Sequence, residues 1–110
     1  MNYLSLNQCK KLKELGYEDS SDHVWVVYNQ TPKLVTQSVA STLYENSKVS
    51  GWDFDSFNCP ALEELIDWLP FGLSVHKSDD DSGTAVYMNT VKKGETPLEA
   101  VYNLAVAIKS

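Results

Sequence analysis

Arginine is absent from these 110 residues, and with it the side chain that reads guanine and phosphate with two parallel hydrogen bonds. Lysine supplies all nine cations against fifteen carboxylates, for a net charge of −6. Neither half is basic: residues 1–55 hold five Lys and seven acids, residues 56–110 four Lys and eight acids. Nucleic-acid binding through neutralised phosphates is disfavoured on that count. Lys10, Lys11 and Lys13 do cluster, but in the second half of a predicted helix, where they complement its dipole. Only Cys9 and Cys59 are present, too few for a disulfide framework, so reduced thiols are expected. Long apolar runs are missing, and no membrane span is expected. Residues 1–5 lack the basic-then-apolar pattern of a secretory leader, and the expected location is cytoplasmic. The five glycines are all isolated, which excludes a dinucleotide fingerprint and a P-loop, and neither G-x-S-x-G nor H-E-x-x-H occurs.

What remains is an ordinary globular composition, 43% hydrophobic and 12.3 kDa. A chain of that mass folds to ~6,100 Å² from ~17,800 Å² extended, enough for one core and one domain. The spacing predicts a first helix over residues 6–15. Ser5 and Gln8 form a capping box, Leu4 staples onto Cys9, Leu6, Cys9, Leu12 and Leu15 make the apolar stripe, and Gly16 ends it. His23 to Tyr28 is apolar on both faces and reads as a strand covered on both sides. It follows the polar stretch Glu18 to Asp22. A turn over Asn29 to Lys33 and a paired strand Leu34 to Thr36 come next. Residues 38–57 divide between a short helix, slightly preferred, and a third strand. Pro60 fits the first position of a helix that Leu62, Leu65, Ile66 and Leu69 make amphipathic and Pro70 stops. A hairpin of Leu73–Lys77 with Thr84–Val91, a turn at Lys93-Gly94 and a final helix opened by Thr96-Pro97-Leu98-Glu99 complete the chain. The last helix should bury Leu98, Val101, Tyr102, Ala105 and Ile108. The expected fold is α+β: a mainly antiparallel sheet of about four strands packed by three helices, with helix–hairpin occurring twice.

Two stretches, residues 4–17 (LSLNQCKKLKELGY) and 57–70 (FNCPALEELIDWLP), resemble small uncharacterised proteins of gut bacteria and their phages or prophages, some of which look like the phage alpha-beta-alpha sandwich domain family. Together they cover 28 of the 110 residues, and their motifs are structural. The resemblance implies a small α/β sandwich and brings no catalytic residues. One departure is Cys59, a poor N-cap, with Asn58 as the alternative cap.

Cys9, His23, Cys59 and His76 number four, as a zinc site needs, but they lack the close pairing of structural zinc ligands. Asp79-Asp80-Asp81 fails the calcium-loop pattern and reads as a hairpin tip, open at most to weak divalent-cation binding. Glu63, Glu64 and Asp67 fall on the solvated side of their helix, where carboxylates are poor proton shuttles. No catalytic, cofactor-binding or metal residue is assigned. The better lead is aromatic: three Trp, six Tyr and three Phe are many for a small core. Tyr44, Trp52, Phe54, Phe57 and Trp68 are the candidate interaction surface of a non-enzymatic accessory protein that binds another protein or a second copy of itself. The alternatives are a small ligand-binding protein or hydrolase using His23 or His76, and an acidic nucleic-acid mimic.

Overall fold

The computed structural model describes residues 3–18 and 21–109. Met1 and Asn2 of the leader reading, Asp19 and Ser20 of the polar stretch, and Ser110 lie outside the described residues. The order is α1 (Leu6–Glu14), β1 (His23–Tyr28), β2 (Thr31–Thr36), α2 (Gln37–Ser50), β3 (Phe54–Cys59), α3 (Leu62–Trp68), β4 (Ser74–Lys77), β5 (Gly83–Tyr87), β6 (Thr90–Gly94) and α4 (Pro97–Lys109). The fold is α+β, but the described residues form two antiparallel sheets of three strands, ordered β2-β1-β3 and β4-β5-β6, and four helices.

The α1 start follows the capping rules. Gln8 N–H donates to Ser5 Oγ at 3.2 Å, and Ser5 N–H donates to Gln8 Oε1 at 2.8 Å. Gly16 takes φ +100° beyond the last turn. β1 is the central strand of its sheet. Val24 and Val26 meet Ala40 of α2 on one face, while Trp25 on the other joins Phe57 and the main core with Leu12 of α1. That core continues through Leu65 of α3, Ala85 of β5 and Leu98, Val101 and Leu104 of α4.

Several sequence expectations need correction. Residues 38–57 hold both a helix and a strand: Ser- and Thr-rich α2 runs fourteen residues, and Gly51 at φ +71° ends it before β3. The turn after β1 is only Asn29-Gln30, both at positive φ, so β2 begins at Thr31. Thr84–Val91 is not one strand, because Met88 at φ +53° turns the chain into β6, which absorbs Lys93-Gly94. Pro60 is buried before α3, not in its first turn. Ala61 holds the cap position and its N–H donates to Glu64 Oε1 at 2.9 Å. Asn58 is no cap: it lies in β3, and its Oδ1 accepts from Gln37 Nε2 at 3.3 Å. In α4 the fully buried positions are Leu98, Ala100, Val101, Leu104 and Ala105, with Tyr102 and Ile108 half-buried.

Two glycines let α4 settle on its sheet. Gly83 and Gly94 are cross-strand partners. A Cβ on Gly83 would lie 2.5 Å from Pro97 N, and one on Gly94 would lie 2.5 Å from Ala100 N. The first turn of α4 therefore rests on bare sheet backbone.

Candidate functional site

Trp52, Tyr28, Phe54 and Tyr44 come together at the outer end of the first sheet. Register does the placing: Tyr28, the last residue of β1, is the partner of Phe54, the first of β3. Gly51 ends α2 in a left-handed turn that carries Trp52 onto Tyr28, ring centroids 5.2 Å apart and planes at 63°. Tyr44 reaches down from α2 to Phe54, centroids 5.3 Å apart at 55°. Lys48 Nζ lies 4.3 Å from the Tyr44 centroid and 3.6 Å from Glu45 Oε1. Tyr44 and Trp52 remain 46% and 48% exposed, whereas Phe54 is half-buried over the small core of Val24, Val26 and Ala40. A groove of about 270 Å³ runs from Tyr44 and Phe54 along α2 and β3, past Ala40, Ser41 and Ser56.

Phe57 and Trp68 do not join this group. Phe57 lies on the opposite face of the sheet, with Lys10 Nζ 5.6 Å and Lys13 Nζ 4.9 Å from its ring centroid. Trp68 packs edge-on to Tyr17 at 5.2 Å against the main core, with Lys109 Nζ 4.7 Å from its ring. Sequence reasoning missed Tyr28, whose place as the last residue before a two-residue turn was the available signal. It also missed Phe71, fully exposed beside Gly72, and Met88, 80% exposed at the turn between β5 and β6.

The polar candidates are dispersed. Cys9 and Cys59 are both buried, and the Cys9 thiol donates to Cys59 Sγ. That bond, and burial after it, push the Cys9 thiol well above its ordinary range. Cys59 Sγ also donates to Leu4 O at 3.7 Å, the same carbonyl that accepts Trp25 Nε1–H at 2.8 Å. His23 Nε2 lies 3.5 Å from the Tyr3 hydroxyl, with the rings 4.8 Å apart. His76 is exposed in the other sheet, a cross-strand partner of Thr84. Asp80 Oδ1 accepts from Ser82 Oγ at 2.6 Å and Ser82 N–H at 3.2 Å, and these bonds hold its carboxyl below the usual range. Asp81 pairs with Lys77 at 3.3 Å. Glu64 serves the α3 N-terminus, while Glu63 and Asp67 are exposed. Among the described residues no three His, Cys, Asp or Glu side chains converge on a common ion position. No helix among them is long and apolar enough to cross a membrane.

A larger cavity, about 630 Å³, opens between the start of α3, the β4–β5 loop and the start of α4, with Glu63, Lys77, Asp81 and Thr96 on its walls. Its charges are mixed, and Lys77 and Asp81 already neutralise each other. Comparison with protein-family models, with curated proteins and with solved structures finds no match.

Proposed function

We propose that this chain is a non-enzymatic interaction module, an accessory protein of a phage or mobile element, that binds a protein partner through Trp52, Tyr28, Tyr44 and Phe54. The observation that carries the reading is the pair of half-exposed rings, Trp52 and Tyr44, packed on the partly buried Tyr28 and Phe54 beside an open groove. Rings braced against one another lose little freedom on binding, and Trp and Tyr are enriched among the residues that dominate interface energies. The rings and not the flanking charges are to make the contact, so association should survive high salt.

The test is a tagged pull-down from host lysate at low and high salt, read by mass spectrometry, followed by titration of the recovered partner. Trp52→Ala should weaken the titrated affinity by about 30-fold, the effect of a ~2 kcal/mol anchor, with little change in the melting transition. Loss of the melting transition in that variant would make Trp52 a core residue and remove the support for this reading.

A further inference from the structure

Four strand edges border the two sheets, and three of them are blunted. The alternation of hydrogen-bonded pairs shows which backbone groups face outward. Tyr28 and Thr31 close the first hairpin, so Thr31, Lys33 and Val35 serve β1 and Pro32 faces out, where it has no N–H to offer. On β6, Tyr87 and Thr90 close the hairpin and Lys93 faces out, and its carbonyl is already taken by Asn103 Nδ2 at 2.8 Å. β4 is only four residues long.

β3 differs. Asn29 N–H donates to Asp53 O at 2.9 Å, which sets the phase of the β1–β3 ladder. Asp55, Phe57 and Cys59 turn their backbone groups to β1, so Phe54, Ser56 and Asn58 turn theirs to the open edge. Among the described residues no proline or helix side chain closes the backbone of that edge. The outward N–H of Ser56 donates to the neighbouring Asp55 Oδ1, at 2.9 Å. Ser56 and Asn58 also border two cavities, about 270 Å³ on the α2 side and about 250 Å³ on the α1 side. The helices thus stand back from the edge on both faces, leaving room for another strand and its alternating side chains.

We infer that β3 pairs antiparallel with β3 of a second copy, about a two-fold axis through Ser56, joining two sheets into one. Charge complementarity selects a second copy as the occupant. In this register Phe54 meets Asn58 of the second copy, and Asp55 meets Phe57 of the second copy. That Phe57 ring lies beneath the Lys10 and Lys13 ammonium groups of its own chain. Within one chain Asp55 is 61% exposed and stands 3.9 Å from Lys13 Nζ. In the pair its carboxylate releases Ser56 N–H, which donates to Ser56 O of the second copy, and lies between its own Lys13 and the two lysines of the second copy. The non-hydrogen-bonded position of Asp55 brings these side chains closest. Trp52 lies outside this edge, whereas Phe54 and Ser56 border both the edge and the groove of the proposed partner surface.

Sedimentation equilibrium and amide exchange, each over a range of protein concentration, test the inference. The apparent mass should rise from 12.3 kDa toward twice that value. Over the same range the amides of Phe54, Ser56 and Asn58 should gain protection, while those of Asp55 and Phe57, already held by β1, stay unchanged. Ser56→Pro removes an N–H that β1 does not use and should hold the chain as a monomer with its melting transition retained. Trp52→Ala should leave the dimer intact. A chain that stays monomeric up to millimolar concentration overturns the inference, as does a dimer in which those three amides exchange as in the monomer. The exchange pattern of the unaltered chain decides the matter if Ser56→Pro fails to fold.

Discussion

Gly83 and Gly94 are alike in sequence to Gly16 and opposite in function. Gly16 needs its positive φ and has nothing within 4 Å of a would-be Cβ, so alanine there should cost about 1 kcal/mol of backbone strain. At Gly83 and Gly94 the added methyl would meet the backbone of α4, which cannot rotate away as a side chain can. Gly83→Ala and Gly94→Ala should each cost about 3 kcal/mol or more, which urea unfolding will rank against Gly16→Ala. The buried thiols tie stability to pH. Cys9 titrates higher in the folded chain than in the unfolded one, because its proton is shared with Cys59 and water is excluded. The stability this contributes is complete below the ordinary thiol value of 9.0 and is lost as pH rises above it, since the unfolded chain then releases the proton first. Unfolding midpoints should fall from pH 9 upward, and less steeply in Cys9→Ala.

Among the elements, α1 shows how far local chemistry determines structure. Nine residues are too few for a stable helix alone, so its cap matters. Ser5→Ala removes the acceptor for Gln8 N–H and should cost about 1 kcal/mol in thermal or urea unfolding. This helix was legible because Ser5, Gln8 and Gly16 act within a few residues of their own positions. The same holds for α4, where Glu99 N–H donates to Thr96 Oγ1 at 3.2 Å as the motif implies. α2 was harder to read: only Ala40 and Ser47 in it are fully buried, so its sequence carries little periodic signal. The β5–β6 turn was illegible for a different reason. Met88 accepts a positive φ that glycine or asparagine would normally announce. At the candidate site, Tyr44, Trp52 and Phe54 could be chosen by proximity in sequence. Tyr28 required the β1–β3 register, and so did the exclusion of Phe57, which alternation sends to the other face.

The whole molecule is long for its mass. Its extents are 50 × 27 × 19 Å and its radius of gyration is 15.3 Å, against ~13 Å for a compact domain of this length. Its surface of 6775 Å² likewise exceeds the ~6,100 Å² expected. The excess follows from two small sheets sharing one core, with α1, α3 and α4 packed where they join. A large cut at that junction should therefore be felt at both ends. Leu12→Ala removes a wholly buried side chain there and should cost about 2–5 kcal/mol, lowering amide protection in β1 and β5 together. Val26→Ala, in the smaller core under α2, should lower protection in β1–β3 and leave β5 and β6 as they were.

The Leu4 carbonyl, which accepts both the Trp25 indole and the Cys59 thiol, also imposes an order in time. Leu4 is synthesised long before Cys59, and the bond between them closes a separation of 55 residues, against 21 for Trp25. During synthesis the Leu4 carbonyl can reach only the indole of these two donors, and only loosely, because β1 has no β3 beside it until Cys59 emerges. Leu4 is thus fastened fully only well after it is made.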